Sequence, residues 1–129
     1  MNPAAGEALE GTWVPVAASV SGQELAVAEL RVARFVLEQG EYRIIDRDDQ
    51  VVDSGNYTID ESVLPRQMDI IGVAGPNSGR VMLAIFELEG DRLTVCYDLE
   101  RNERPADMQA KEDQLLLSIT YARASSVLS

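Results

Sequence analysis

The chain has 129 residues, a formal net charge of −11 at pH 7 and an apolar content of 46%. This length suits one domain, which we expect to cover 1–129 with a core over about 9–123. The acidic balance argues against nucleic-acid binding and against anionic membrane surfaces, because both rely on clustered Lys and Arg. No apolar run approaches the roughly 18 residues that a membrane-spanning helix needs.

The residue types that are missing limit the chemistry further. The chain has no histidine and a single cysteine, Cys96. These two facts exclude Ser-His-Asp and Cys-His catalysis, His-ligated haem, His-containing zinc sites, an internal disulfide and multi-thiolate metal sites. We therefore expect no metal and no cofactor. Any chemistry must come from carboxylates, Arg, Lys111, hydroxyl groups or the shape of a pocket.

The first seven residues contain neither a basic residue nor an apolar stretch, which is not the pattern of a signal peptide. We therefore expect a cytoplasmic protein. The sequence leaves open whether the chain forms a homodimer.

Short segments of alternating apolar and polar residues, separated by turn residues, predict an all-β meander. Gly55 lies inside the fourth segment and indicates a bulge or a sharp bend. The glycines and proline of 75–79 predict a loop, and a long polar segment, 100–113, precedes the last strand. The eight predicted strands are 10–20, 31–38, 41–46, 51–59, 67–73, 80–89, 92–99 and 114–123.

The segment 24–30 is rich in helix formers, and its apolar residues lie on one side. We interpret it as a short helix or helical turn over the mouth of a barrel. Eight strands with mostly short connections fit a closed antiparallel up-and-down barrel, because closure removes the edge strands and leaves room for side chains or one small ligand. A two-sheet sandwich fits the same strand count.

A series of short motifs runs in order along the chain. They are Leu-x-Gly-Thr-Trp at 9–13, Gly-x-Tyr at 55–57, Gly-Pro-x-x-Gly at 75–79, Ile-x-Glu-Leu-x-Gly-Asp-x-Leu-x-x-Cys at 85–96, Arg104-Pro105 and Arg123. In this combination the chain resembles a lipocalin-like, calycin-type bacterial domain family that is abundant in planctomycetes, although Phe86 stands where that family usually has Tyr. The resemblance implies a lipocalin-like β-barrel. It implies no function, because the family has none established.

The resemblance also implies a role for Trp13 and Arg123. In lipocalins a Trp at this point of the first strand packs across one end of the barrel, and an Arg near the end of the last strand lies over it. A guanidinium on an indole face is favourable by roughly 0.5–2 kcal/mol. We expect Trp13 to be buried and in contact with Arg123.

We expect any ligand cavity at the mouth opposite Trp13, beneath 24–30. Small-molecule pockets combine an apolar wall with a few polar groups. A one-residue slip in the assignment of faces would exchange the interior and exterior residues of a strand. The predicted wall residues are Phe35, Tyr42, Tyr57, Met82 and Phe86, and the predicted polar group that orients a ligand is Glu87, Arg34 or Arg104.

The polar candidates have two interpretations each. Glu87 shares a face with Ile85, so it is a buried carboxylate paired with an arginine if that face points inward, and a solvated residue otherwise. Arg104 is held extended by Pro105, and it either anchors its loop or contacts a ligand.

Three functions remain open at this point. The first is a binding module for a small, largely apolar ligand inside the barrel. The second is a calycin-type cyclase that acts by confining a flexible substrate. The third is a protein-interaction domain with a closed core. The sequence identifies neither the ligand nor a reaction, and it leaves open whether the interior is a cavity or a packed core.

Overall fold

A computed structural model describes residues 9–30, 32–99, 103–106 and 115–124. The first eight residues and most of the predicted polar segment 100–113 lie outside this part of the chain. Within it, no helix is long and apolar enough to cross a membrane. The strands are β1 (Gly11–Val20), β2 (Gln23–Leu25), β3 (Arg34–Glu38), β4 (Glu41–Ile45), β5 (Val51–Asp60), β6 (Arg66–Ala74), β7 (Val81–Glu89), β8 (Arg92–Asp98) and β9 (Leu116–Arg123).

Eight of these strands form a closed antiparallel barrel. Each strand from β3 to β8 pairs with the next one along the chain, and β1 pairs with β3 on one side and with β9 on the other. This order is that of an up-and-down barrel rather than of two stacked sheets. The eight predicted strands are all confirmed, with boundaries that agree within three residues. The register shift at Gly55 confirms the predicted bulge.

The segment 24–30 differs most from its prediction as a short helix. Gln23–Leu25 forms β2, which pairs with the end of β1, and only Val27–Glu29 forms a single 3-10 turn. Because β3 pairs only with the first three residues of β1, the far end of β1 has hydrogen-bonding groups that β2 can satisfy. This pairing outweighs the local helix propensity.

The barrel interior is filled mainly by large side chains. Successive residues of a strand alternate between interior and exterior, so each strand contributes every second residue to one central core. The buried residues of this core are Leu9, Trp13, Ala18, Leu30, Phe35, Leu37, Tyr42, Tyr57, Met68, Ile70, Ala84, Phe86, Leu93, Val95, Ile119 and Tyr121.

A second, smaller cluster lies on the outer face of the barrel. Ile85, Cys96 and Leu116 are buried against one another there, while the neighbours of Ile85 on β7 belong to the central core. Nearby, Arg104 donates a hydrogen bond of 2.8 Å to the Ala84 carbonyl and forms an ion pair with Asp69. Arg104 therefore anchors residues 103–106 to the outside of β6 and β7.

Trp13 fills the end of the barrel at which β1 begins. Its side chain is fully buried, and its Nε1 donates to the Leu9 carbonyl at 2.8 Å. The guanidinium carbon of Arg123 lies 4.3 Å from the centre of the indole ring. The same guanidinium donates to the Glu10 carbonyl at 2.8 Å and pairs with Asp91. The predicted contact between Trp13 and Arg123 is confirmed.

Gly11 is the residue that allows this arrangement. Its φ of +135° is a backbone conformation that other residues rarely adopt. A Cβ at this position would also lie 3.0 Å from Nη1 of Arg123. Glycine therefore leaves the guanidinium free to reach both the indole face and the backbone at the start of β1.

We predict that Trp13→Ala lowers the free energy of unfolding by roughly 3–5 kcal/mol, the usual cost of removing a core aromatic side chain. Urea denaturation followed by far-ultraviolet circular dichroism measures this loss. Val16→Ala, at an exposed position of the same strand, is the control and should cost less than about 1 kcal/mol. Equal losses in the two variants would contradict the role given to Trp13.

Candidate functional site

A small cavity lies inside the barrel. Its volume, taken as the space that the centre of a water molecule can occupy, is about 50 Å³. One water needs roughly 10–15 Å³ of such space, so the cavity admits a group of roughly four non-hydrogen atoms. The lining residues are Phe35, Tyr42, Ile44, Asp53, Ile70, Asn77, Met82, Val95, Tyr97 and Tyr121.

The up-and-down order explains why these side chains meet. Strands β3, β5 and β7 begin, and β4 and β8 end, at the mouth opposite the start of β1. Phe35, Asp53 and Met82 each lie within the first three residues of their strand, and Tyr97 is the last residue but one of β8. A cavity at this mouth was expected, although residues 24–30 do not contribute to its lining.

Four aromatic rings form much of the cavity wall. The Phe35 ring centre lies 5.2 Å from that of Tyr121 and 6.4 Å from that of Tyr42, and Tyr97 completes the group. Aromatic rings are apolar in packing, but their faces carry partial negative charge. The wall can therefore accept either a hydrocarbon group or a cation.

Asp53 is the charged residue of the lining, and it is only 7% exposed. Its Oδ2 accepts a hydrogen bond of 2.8 Å from Asn77 Nδ2 and a longer one of 3.3 Å from the Tyr42 hydroxyl. Its Oδ1 is buried beside Gly75 and has no hydrogen-bond partner among the described residues. In the described part of the chain, no Lys or Arg pairs with this carboxylate. Two neutral donors leave much of its accepting capacity unused.

The loop between β6 and β7 brings Asn77 to Asp53. Hydrogen bonds of 2.9 and 3.0 Å join Gly72 to Arg80 and Gly79 across the base of this loop. A Cβ on Gly72 would lie only 1.9 Å from the Asn77 carbonyl oxygen. The absence of a side chain at Gly72 is therefore what lets the loop fold against the mouth of the barrel.

The phenols of the cavity are held in their neutral form. Burial raises the pKa of Tyr121, and burial together with the negative charge of Asp53 raises the pKa of Tyr42. The same two causes, in that order, raise the pKa of Tyr97 to about 12. At neutral pH the polar part of the cavity thus consists of the Asp53 carboxyl group, the Asn77 amide and phenolic hydroxyls.

The predicted wall residues divide into two groups. Phe35, Tyr42 and Met82 line the cavity. Tyr57 and Phe86 are buried in the central core but are not part of the cavity lining. Their side chains pack the barrel rather than border its empty space.

The three predicted polar residues lie outside the cavity. Glu87 is exposed, because the face of β7 that carries Phe86 points inward. Arg34 forms a largely exposed ion pair with Asp49, and Arg104 is bound on the outer surface. The charged residue that lines the cavity is Asp53 rather than any of these three.

Sequence reasoning missed several residues of the site. A signal was available for Asp53, since it has the same strand parity as Tyr57 and therefore faces inward with it. Tyr97 likewise shares a face with the buried Val95. Asn77 carried no such signal, because its position depends on how the loop folds against Gly72.

Two larger depressions, of about 370 and 400 Å³, lie on the outer surface. One follows the β3–β4 hairpin and the other lies between the 3-10 turn and the β4–β5 turn, and most of their lining residues are exposed. Ligand sites normally enclose most of their ligand. The interior cavity is therefore the better candidate.

Comparisons with protein-family models, curated proteins and solved structures found no significant match. Among the described residues, no group of three or more Cys, Asp or Glu side chains is arranged to hold a metal ion. The function is therefore argued from the chemistry of the interior cavity.

We predict that Gly72→Ala lowers the free energy of unfolding by about 2–4 kcal/mol, because the new methyl group overlaps the Asn77 backbone. Gly79→Ala is the matched control. That position has open space around it and a φ of +80°, so only backbone strain of about 1 kcal/mol is expected. Urea denaturation of both variants makes the comparison, and a smaller loss in Gly72→Ala than in Gly79→Ala would contradict the packing described for the loop.

We predict that stability falls at alkaline pH. Burial raises the pKa of all four tyrosines above their ordinary value of 10.0, so the unfolded chain loses these protons at lower pH than the folded one. The stabilisation is complete below pH 10 and is lost above it, at about 1.4 kcal/mol per pH unit for each tyrosine that stays protonated in the fold.

Urea denaturation between pH 9 and pH 11 tests this dependence, with phenolate absorbance of the native protein as a second measurement. Tyr97→Phe should make the fall less steep. If phenolate absorbance appears at the same pH in the folded protein as in the unfolded chain, the burial of these hydroxyls is contradicted.

Proposed function

We propose that this protein is a binding module, lipocalin-like in architecture, that takes a compact and largely apolar group of a small molecule into its interior cavity. The observation that carries the proposal is the cavity itself. Apolar and aromatic side chains converge there on one buried carboxylate, Asp53, with an unused hydrogen-bonding position.

The arrangement of the barrel supports this proposal. One end is filled by Trp13 under Arg123, whereas the cavity is lined by Asp53, Met82 and other residues near the strand ends of the opposite mouth. Small-molecule sites in barrels combine an apolar wall, which supplies affinity, with a few polar groups, which fix orientation. Asp53 and Asn77 are the polar groups in this cavity.

The size of the cavity limits what it can hold. Drug-sized ligands occupy pockets of roughly 300–1,000 Å³, whereas this cavity measures about 50 Å³. A whole lipophilic molecule does not fit, so the ligand is either very small or enters with one group only. The same argument weakens the cyclase alternative, because catalysis by confinement needs space for the entire flexible substrate.

A protein-interaction domain with a closed core is the second candidate. The observation that favours it is the dense packing of the central core by large side chains, which leaves a cavity of only about 50 Å³. In that case the cavity would be a packing defect and would bind nothing.

A titration with small molecules separates the two candidates. Short-chain alcohols and amines are added to isotopically labelled protein, and amide chemical shifts are followed by NMR. We expect saturable changes at Val95, Tyr97 and Met82. Val95→Ile should weaken the binding of each ligand roughly tenfold, because it extends a wall residue by one methylene.

Val16→Ile is the matched control, since it adds the same methylene at an exposed position of β1 and should leave the affinities unchanged. Saturation at the cavity amides that Val95→Ile weakens and Val16→Ile does not would support the binding module. Linear, non-saturating shifts for every ligand would favour the interaction domain instead.

A further inference from the structure

We propose that the cavity is selective for a primary ammonium group, which it would bind through Asp53 and the surrounding aromatic rings. This inference rests on the binding function proposed above and specifies the chemistry of the ligand. The juxtaposition behind it is a buried carboxylate with one unpartnered oxygen, set in a small cavity that four aromatic side chains line.

The first argument is the incomplete satisfaction of Asp53. Burying a carboxylate is costly unless it is paired and hydrogen-bonded. Here Oδ2 has the Asn77 amide at 2.8 Å and the Tyr42 hydroxyl at 3.3 Å, while in the described part of the chain Oδ1 has no donor and the carboxylate has no counter-ion. An organic cation in the cavity would supply the missing counter-ion to this carboxylate.

The second argument is the wall around the carboxylate. Phe35, Tyr42, Tyr97 and Tyr121 line the same cavity. Ring faces attract cations, by about 2 kcal/mol or more where water is excluded. They also accommodate the hydrocarbon chain of an amine. A carboxylate and aromatic faces together select an organic cation over either a plain hydrocarbon or an anion.

The third argument concerns which cation fits. A primary ammonium has N–H groups to donate to the Asp53 carboxylate, whereas a quaternary ammonium has none. A divalent metal ion needs several oxygen ligands, and Asp53 is the only carboxylate among the described residues of the lining. With room for roughly four non-hydrogen atoms, the cavity accepts an ammonium group and a short piece of alkyl chain.

The charges at this end of the barrel also favour a cationic ligand. The chain carries a net charge of −11. The β4–β5 turn, which directly precedes the strand of Asp53, has three aspartates, and one of them is paired with Arg34. Arg47 in the same turn donates to the carbonyls of Val27 and Ala28. Such a field raises the local concentration of cations.

The test compares butylammonium with butanol, two probes of the same length that differ in charge. Dissociation constants are measured on the full chain by NMR titration at neutral pH and low ionic strength. We expect butylammonium to bind roughly tenfold or more tightly than butanol, because hydrogen bonds to charged groups are the stronger ones. Asp53→Asn should abolish this difference by weakening the binding of butylammonium.

Asp48→Asn is the matched control, because it removes the same charge from an exposed position at this end of the barrel. It should preserve the preference for butylammonium. If Asp53→Asn does not fold, Asn77→Ala serves as the second variant. Removal of the amide donor from Oδ2 leaves the carboxylate with fewer partners, so the preference for butylammonium should rise.

The outcomes separate this inference from the proposed function. Equal affinities for butanol and butylammonium would overturn the ammonium site but leave the binding module standing. No saturable binding of either probe would overturn both. A preference that persists in Asp53→Asn, or that falls in Asn77→Ala, would show that the charge is recognised elsewhere.

Discussion

The constraint on which the structure depends is the double pairing of β1. This strand bonds to β3 through its first residues and to β9 along most of its length, which turns an eight-stranded meander into a closed barrel. Closure at eight strands fixes the radius, so the interior has room for side chains and little else. Trp13 and Arg123 sit in register where this closure begins. The small volume left inside follows from the strand number and from the large residues that fill it.

In so small an interior, one charge dominates the chemistry. The central core is otherwise apolar or phenolic, and Asp53 faces into it from the start of β5. The fold supplies Asn77 to one oxygen of this carboxylate, and it does so through a loop that only a glycine at position 72 permits. The other oxygen receives no hydrogen bond from the residues that the structure describes. The backbone geometry of the β6–β7 loop thus determines which hydrogen-bond donor reaches the Asp53 carboxylate.

The sequence predicted the strands well, because alternation and turn residues depend on local pattern. It predicted Trp13 and Arg123 through their motif context. It failed for residues 24–30, since β2 forms only where β1 extends beyond β3, a fact of tertiary pairing. It could not determine which face of β7 points into the barrel, because both faces are apolar. In the structure Phe86 lies in the central core and Ile85 in the outer cluster. The exposed position of Glu87 follows from that choice.

The failure at Asp53 is of a different kind. Alternation along β5 places this residue on the same face as Tyr57, so its inward direction was predictable, whereas a carboxylate at such a position breaks the rule that interior faces are apolar. Stable folds tolerate such a violation where it is compensated or where it serves a function. Here the compensation is partial, because the described residues supply two neutral donors and no counter-ion. An unpaired carboxylate in the core costs stability, and this cost is the physical reason for basing the proposed ligand site on Asp53.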